Sequence, residues 1–207
     1  MAKRTEDQNV LRDCARVGEA IRFAVDAHEG QLRKGTTLPY IVHPMEVLGI
    51  LAAMNADAEL LMAGALHDCI EDGQLPCEEG LRLVTREDIA ERFGERVAAL
   101  VAAHSEDKSL SWDERKAIAL SELAEAAPDL QKLVLADKLS NMRAIARDYK
   151  AIRDVLWARF QAPKDKQAWY YAGGVDALRS LASDEKAAPL YEEFSALVRE
   201  VFGQPAR

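Results

Sequence analysis

Three short segments of the chain place ionisable residues among apolar ones, where a protein core would be apolar. They read YIVHP at 40–44, ALHDCIED at 65–72 and LADKLSNMR at 135–143. Burying histidine and aspartate side chains without partners is costly, whereas neutral imidazole and carboxylate are both good ligands of a divalent cation. The order His43, His67-Asp68, Asp137 therefore predicts a metal centre whose mixed nitrogen and oxygen donors suit Mn, Fe, Zn or Co.

Two further acids follow the His67-Asp68 pair at helical spacing. Glu71 lies four residues after His67, and Asp72 lies four residues after Asp68. If the helix continues, all four side chains point to one side, so that the first pair binds the metal and the second pair handles a water molecule. The alternative is a charged helix end, which Gly73 would close.

Each proposed ligand also fits a structural role when it is taken alone. A histidine before proline, such as His43, is commonly a helix cap or a surface residue, and Asp137 could pair with a neighbouring lysine or arginine. A His-Asp dipeptide is frequent by chance. The two other histidines that the pattern leaves, His28 and His104, are interpreted as helix-end or loop residues outside the metal site.

Apolar residues recur every three or four positions through most of the chain, which predicts an all-α fold. On the first helix, such spacing places on one face Val10, Cys14, Val17, Ile21 and Val25. Capping boxes are predicted at Thr85 and Ser111, a single cap at Asp57, and Pro128 opens a further helix. The predicted helices cover about 10–27, 44–54, 58–68, 86–93, 95–103 and 112–127, one that begins at Pro128, and about 164–181 and 189–202.

The loops between these helices follow from their polar and turn-forming residues. Residues 31–40 form a basic loop, 73–80 a second loop and 104–110 a third. His43 is predicted to cap the second helix, because Pro44 suits the first helical position. No repeat or linker divides the chain, so the sequence predicts one domain over 1–207, with its motifs at about 20–146 and a helical extension at 147–207.

Composition limits the classes of function. Hydrophobic residues make up 49% and charged residues 30% of the chain, which argues against disorder, and the formal net charge of −8 argues against nucleic-acid binding. The three cysteines, Cys14, Cys69 and Cys77, form no CxxC pair, which predicts a reducing cytoplasm. We also expect no signal peptide and no membrane span.

The order of the ionisable segments resembles the signature of the HD phosphohydrolase superfamily. Five segments are similar to the hydrolase domain of RelA/SpoT proteins, and especially to free-standing small alarmone hydrolases of the Mesh1 type. They are HEGQLRKG at 28–35, PYIVHP at 39–44, HDCIED at 67–72, FG at 93–94 and LADKLSNMR at 135–143. The stretch EDKSL at 106–110 also looks like the small group, and the resemblance covers about 20–146.

The resemblance implies an all-α fold, one Mn²⁺ ion and removal of the 3′-pyrophosphate of (p)ppGpp, which gives GDP or GTP plus pyrophosphate. The implied metal ligands are His43, His67, Asp68 and Asp137. The implied water-positioning pair is Glu71 and Asp72. The implied substrate contacts are Arg33 and Lys34 on the basic loop and Asn141 beside the nucleoside, and Lys108 is a further candidate for neutralising phosphate.

Three departures from the family pattern leave the nucleotide open. Residues 35–38 alter the loop after the basic pair, HS at 104–105 stands where a threonine-containing motif is common, and Ala144 lacks a polar side chain. The alternatives are an HD phosphohydrolase for another nucleotide, such as NADPH or a nucleoside monophosphate, and a nucleotide sensor without catalysis. A purely structural helical protein is the third. The expected partner is a small nucleotide, with no nucleic acid and no membrane, and the sequence is also compatible with a homo-oligomer.

Overall fold

The computed structural model describes residues 2–105 and 109–203 of the chain. Within this part the structure is helical apart from one small hairpin, which confirms the predicted all-α fold. The α-helices are α1 (Ala2–Ala27), α2 (Val42–Ala53), α3 (Ala58–Leu66), α4 (Cys69–Asp72), α5 (Arg86–Phe93), α6 (Glu95–His104), α7 (Trp112–Ala124), α8 (Pro128–Ile152), α9 (Lys164–Ala177) and α10 (Ala188–Phe202). The hairpin pairs β1 (Gln74–Cys77) with β2 (Gly80–Leu83), and short 3-10 helices cover Arg153–Arg159 and Arg179–Ser183.

Contacts between residues group the chain into two compact units. The first contains the described residues of Met1–Arg33 and Thr37–Ser105, and the second contains those of Lys34–Thr36 and Glu106–Arg207. The single domain expected from the sequence stays a prediction. No helix in the described part of the chain is both long and apolar enough to cross a membrane.

Helix α3 lies at the centre of the first unit and packs against α1, α2 and α6, while α5 packs against α6. It contributes fully buried side chains such as Met62 and Leu66, and α2 adds Leu51. A Cβ added at Gly64 of α3 would overlap Leu51 Cδ1, so glycine permits the close approach of α2 and α3. The residues that follow α3 are therefore held by a densely packed helix.

Two of the predicted caps of the first unit, at Asp57 and Thr85, are confirmed. Asp57 accepts a hydrogen bond from the Leu60 amide at 2.9 Å, which starts α3. Thr85 and Asp88 form a reciprocal capping box at the start of α5. Gly94, with φ of 95°, ends α5 as the sequence predicts. These local interactions satisfy amide groups that the first helical turn leaves without partners.

Other predictions for the first unit are wrong. The predicted apolar stripe of α1 is not its buried face, since Val10 is 61% and Val25 46% exposed and the other residues of the stripe are at most half-buried, whereas Ala20 and Phe23 are buried. The loop predicted at 73–80 is largely the hairpin of β1 and β2. His43 lies inside the first turn of α2 rather than at its cap, which is Ile41.

The second unit is built around α8, which packs against α10, while α9 packs against both α7 and α10. Pro128 opens α8 as predicted, and Ser111 forms the predicted capping box with Glu114 at the start of α7. Buried Gln131 donates to the Leu123 carbonyl oxygen at 3.1 Å and accepts from Ser180 at 2.8 Å. These bonds satisfy both polar ends of its amide.

Candidate metal centre

The turn between α3 and α4 keeps helical geometry through the His67-Asp68 pair. Both residues have right-handed helical backbone angles, and the Asp72 amide donates to the Asp68 carbonyl oxygen at 3.0 Å. His67 is fully buried and His43 is nearly so. The packed end of α3 therefore delivers His67 and Asp68 into the interior of the first unit, beside the first turn of α2.

Three of the predicted ligands converge within the first unit. His67 Nε2 lies 3.2 Å from His43 Nε2 and 3.1 Å from Asp68 Oδ2, and His43 Nε2 lies 3.6 Å from the same carboxylate oxygen. One donor atom from each residue lies within 4.8 Å of the other two. The spacing is short enough for all three to bind one cation.

The Gly64 carbonyl oxygen fixes the orientation of the His67 ring. It lies 2.9 Å from His67 Nδ1, and because a carbonyl can only accept, Nδ1 carries the proton. The Nε2 lone pair is then directed at His43 and Asp68, as a metal ligand requires.

The carboxylate of Asp68 is held in its charged form. Burial alone raises the pKa of Asp68, but the positive charges that His67, His43 and His104 carry when they are protonated hold that pKa well below its usual value. The Tyr40 hydroxyl also donates to Asp68 Oδ2 at 2.5 Å. An anionic, oriented carboxylate beside imidazole nitrogens fits a divalent transition-metal ion.

A second layer of side chains lies behind these donors. His28 is buried, and its Nδ1 lies 2.9 Å from Gln31 Oε1 and its Nε2 3.7 Å from Cys69 Sγ. Burial lowers the pKa of His28 and raises the pKa of the Cys69 thiol. The His28 ring also packs on Tyr40, with 4.9 Å between ring centroids. The His28 ring therefore helps to position Tyr40, whose hydroxyl in turn orients Asp68.

The predicted acidic pair lies on α4, directly after the metal-binding pair. Glu71 is half-buried and Asp72 is exposed. Gln31 Nε2 donates to the Asp72 carbonyl oxygen at 2.7 Å, which ties the end of α4 to the basic loop. Both acids thus follow the His67-Asp68 pair by one helical turn, and their catalytic roles stay predictions.

The basic loop is more ordered than the sequence suggested. Leu32 and Pro39 form an isolated antiparallel bridge, and the Arg33 amide donates to the Leu38 carbonyl oxygen at 2.9 Å. The Arg33 guanidinium lies over the Tyr40 ring, 5.7 Å from its centroid. Lys34 is exposed and is grouped with the second unit.

The remaining predicted site residues lie outside the first unit. Asp137 and Asn141 are on α8, where Asn141 Nδ2 donates to Asp137 Oδ1 at 2.7 Å. The two cations suggested as structural partners of Asp137 have other contacts, since Lys138 bonds to the Tyr170 hydroxyl and Arg143 forms a bidentate pair with Glu193. Lys108 lies outside the described residues.

Sequence reasoning missed two residues beside the donors. Tyr40 was read only as part of a motif, and His104 was assigned to a loop. His104 is the last residue of α6, and its ring centroid lies 5.2 Å from that of His67. The spacing of His104 from the buried Val97 and Val101 is helical, and this signal could have placed it on the buried face.

A helical fold in which histidines and a His-Asp pair surround one point is typical of HD-domain proteins. The family model described as HD domain matches residues 20–162, and the chain belongs to that family.

Among its relatives, the human guanosine-3′,5′-bis(diphosphate) 3′-pyrophosphohydrolase MESH1 is 35% identical over 140 residues, covering 65% of this chain and 72% of the human protein. A Vibrio cholerae protein with the same enzyme name is 39% identical over 137 residues, covering 61% of this chain and 18% of that protein. The chain spans only 17% or 18% of the length of the long bacterial relatives.

The fold is also similar to that of a solved structure, a metazoan ortholog of SpoT that hydrolyses ppGpp and plays a role in starvation responses. The two structures match with a TM-score of 0.70 and 29% sequence identity, over 88% of this chain and 94% of that one.

Proposed function

We propose that this protein is a metal-dependent phosphohydrolase that removes the 3′-pyrophosphate of (p)ppGpp, giving GDP or GTP plus pyrophosphate. The observation that carries the proposal is the convergence of His43, His67 and Asp68 within 4.8 Å, with His67 and Asp68 one helical turn before two acids. The enzyme names of the human and Vibrio cholerae relatives supply the substrate.

The proposed metal ligands are His43, His67, Asp68 and Asp137, and the proposed ion is Mn²⁺. The first three are supported by their distances, and Asp137 by its place in the family motif. The hydrogen bond from Asn141 would then orient the Asp137 carboxylate. When bound, a divalent cation lowers the pKa of a water molecule toward neutrality and polarises a phosphoryl oxygen.

Glu71 and Asp72 are proposed to orient the attacking water and to accept its proton, which requires hydrogen-bond reach rather than metal contact. The water oxygen forms a bond to the phosphorus nearest the ribose, and the bond from that phosphorus to the 3′ oxygen breaks. The proton taken from the water returns to the 3′ oxygen, so that the nucleotide leaves with a 3′-hydroxyl. The half-buried position of Glu71 makes it the better shielded base.

The substrate contacts are proposed from the basic loop and from α8. Arg33 would face guanine or phosphate with its planar guanidinium, which Tyr40 already supports on one side. Lys34 and Lys108 would neutralise phosphate charge, and Asn141 would border the nucleoside. A few lysine and arginine side chains would allow a chain with a formal net charge of −8 to bind a small polyanion.

We also propose that the protein acts in the cytoplasm on a small nucleotide, without a nucleic-acid or membrane partner. The three cysteines are free in the structure, which fits a reducing compartment. Fractionation of cells that express the untagged chain would test this location.

The decisive experiment is a substrate panel. Metal-free protein is incubated with Mn²⁺ and ppGpp, NADPH or each deoxynucleoside monophosphate, and release of pyrophosphate or phosphate is followed. We expect pyrophosphate from ppGpp alone. Turnover of another member and none of ppGpp would refute the alarmone assignment and leave an HD phosphohydrolase.

Two sets of variants test the residue roles. Glu71→Gln with Asp72→Asn should lower kcat by about 10²- to 10⁴-fold, whereas Glu87→Gln, at an exposed position of α5, should not. A double variant that binds ppGpp and matches the wild-type rate would refute the role of the acids. His67→Ala and Asp137→Ala should each lower the metal content of the purified protein, and unchanged content would refute the metal centre.

A further inference from the structure

His104 lies on the buried face of α6, although it is the last residue of that helix. Val97 and Val101 precede it by seven and three residues, a spacing that keeps all three on one side. Both valines are fully buried, and α6 packs against α3. The face that carries His104 is therefore the face that packs toward the helix leading to His67.

The distance between His104 and His67 matches the distance between His67 and a proposed ligand. The ring centroids of His67 and His104 are 5.2 Å apart, and those of His43 and His67 are 5.0 Å apart. A nitrogen of His104 lies within 4.8 Å of a nitrogen of His67. His67 is thus flanked by two imidazoles at nearly equal distance, one from α2 and one from α6.

We propose that His104 is a fifth ligand of the metal centre, adding a third imidazole to those of His43 and His67. Neutral imidazole is a strong ligand of divalent transition metals, and a fifth donor favours an ion that accepts more than four ligands. The inference rests on the proposed metal centre.

His28 provides the contrast within the same unit. It is also a buried histidine, but its two ring nitrogens lie beside Gln31 Oε1 and Cys69 Sγ. It belongs to no group of three metal-donor side chains in the described part of the chain. The chain contains four histidines, so the proposal divides them into three that bind metal and one that does not.

The number of metal-binding histidines can be counted without substituting any residue. Untagged full-length protein labelled with ¹⁵N-histidine is titrated with Cd²⁺, which is diamagnetic and accepts more than four ligands, and the imidazole nitrogens are followed by long-range ¹H–¹⁵N correlation. Three rings that acquire metal-bound nitrogen shifts, with the fourth unchanged, would support His104 as a ligand. Two such rings would overturn this inference while the proposed function stands, and none would overturn the metal centre itself.

Substitution supplies an independent test. His104→Ala should weaken Co²⁺ binding at least about tenfold, because losing a residue that merely supports a ligand already costs about that much. The substitution should also change the visible absorption of bound Co²⁺. Because nitrogen donors favour Co²⁺ over Mn²⁺, Mn²⁺ affinity should fall less. His28→Ala is the matched control and should leave the Co²⁺ spectrum unchanged. Equal losses for both metals with an unchanged spectrum would show a merely structural role.

Discussion

Replacing Tyr40 by phenylalanine removes one hydroxyl from the candidate metal centre and leaves the ring. The hydroxyl donates to Asp68 Oδ2 at 2.5 Å. The ring packs on His28 and His43 at centroid distances of 4.9 and 6.0 Å, contacts that phenylalanine can keep. The variant therefore isolates the hydrogen bond to the carboxylate.

The expected loss of metal affinity depends on what the hydrogen bond from Tyr40 contributes before and after the cation binds. A hydrogen bond to a charged group contributes about 1.5–3 kcal/mol, but here the bond already exists without a cation, so most of that energy is lost from folding rather than from metal binding. What the metal loses is the fixed orientation of Asp68. Loss of such supporting bonds lowers metal affinity about 10- to 100-fold, and we expect the lower end, near tenfold or about 1.4 kcal/mol.

The assay is calorimetric titration of Mn²⁺ into metal-free protein at fixed pH and ionic strength, with unfolding by urea as a check on the fold. Tyr191→Phe is the matched control, because its hydroxyl donates to the Val175 carbonyl oxygen at 3.0 Å in the second unit. A Tyr40→Phe affinity equal to that of the wild type would refute the reasoning. So would an equal loss of affinity in the control.

Three further predictions concern the fold of the first unit. Thr85→Ala removes the capping box of α5 and should lower the free energy of unfolding by about 1 kcal/mol in urea, and no change would contradict the capping argument. Gly64→Ala forces a methyl group against Leu51 and should lower the free energy of unfolding by about 1–3 kcal/mol in the same assay. An unchanged urea midpoint would contradict this prediction. Burial lowers the pKa of His28, so the unfolded chain binds more protons below about pH 6.5. Stability should therefore fall as the pH drops through that value, and His28→Gln should flatten the fall in thermal melts; a parallel pH profile would refute the assignment.

The helix starts that were predictable are those set by neighbouring residues. Asp57, Thr85 and Ser111 accept hydrogen bonds from amides three residues ahead, and Pro128 supplies its own backbone constraint. Such interactions need no distant partner, so the sequence contains them in full.

The features that were wrongly predicted depend on burial, which the sequence does not contain. The hairpin residues Gln74–Cys77 and Gly80–Leu83 are almost all exposed, so no alternation of apolar and polar residues marks them. In α1 the valines suggested a buried face, but Ala20 and Ala24 allow closer packing than larger side chains and face inward instead. The inward face also carries Phe23, so it combines a large aromatic side chain with small ones, a set that the spacing of the valines does not indicate.

The convergence of His43, His67 and Asp68 was predictable because their order and spacing follow a motif, while their role as metal ligands stays a prediction. Their neighbours were not, since His104 and Tyr40 reach the donors through packing between elements that are distant in sequence. The helical spacing of His104 from Val97 and Val101 is compatible with a shared face, but it does not indicate which neighbouring helix that face contacts. The sequence shows these valines only as one candidate face of α6 among others.

Gly64 links the packing of α3 to the chemistry at its end. Its missing side chain permits the approach of Leu51, and its carbonyl oxygen holds the proton on His67 Nδ1. The same residue therefore leaves room for the Leu51 side chain of α2 and fixes the direction of the lone pair of a proposed metal ligand. We expect a methyl group at this position to disturb both, because Leu51 is fully buried and a backbone shift that relieves the overlap also moves the carbonyl oxygen. If Gly64→Ala lowered stability but kept wild-type metal affinity, the helix packing and the ligand orientation would be independent after all.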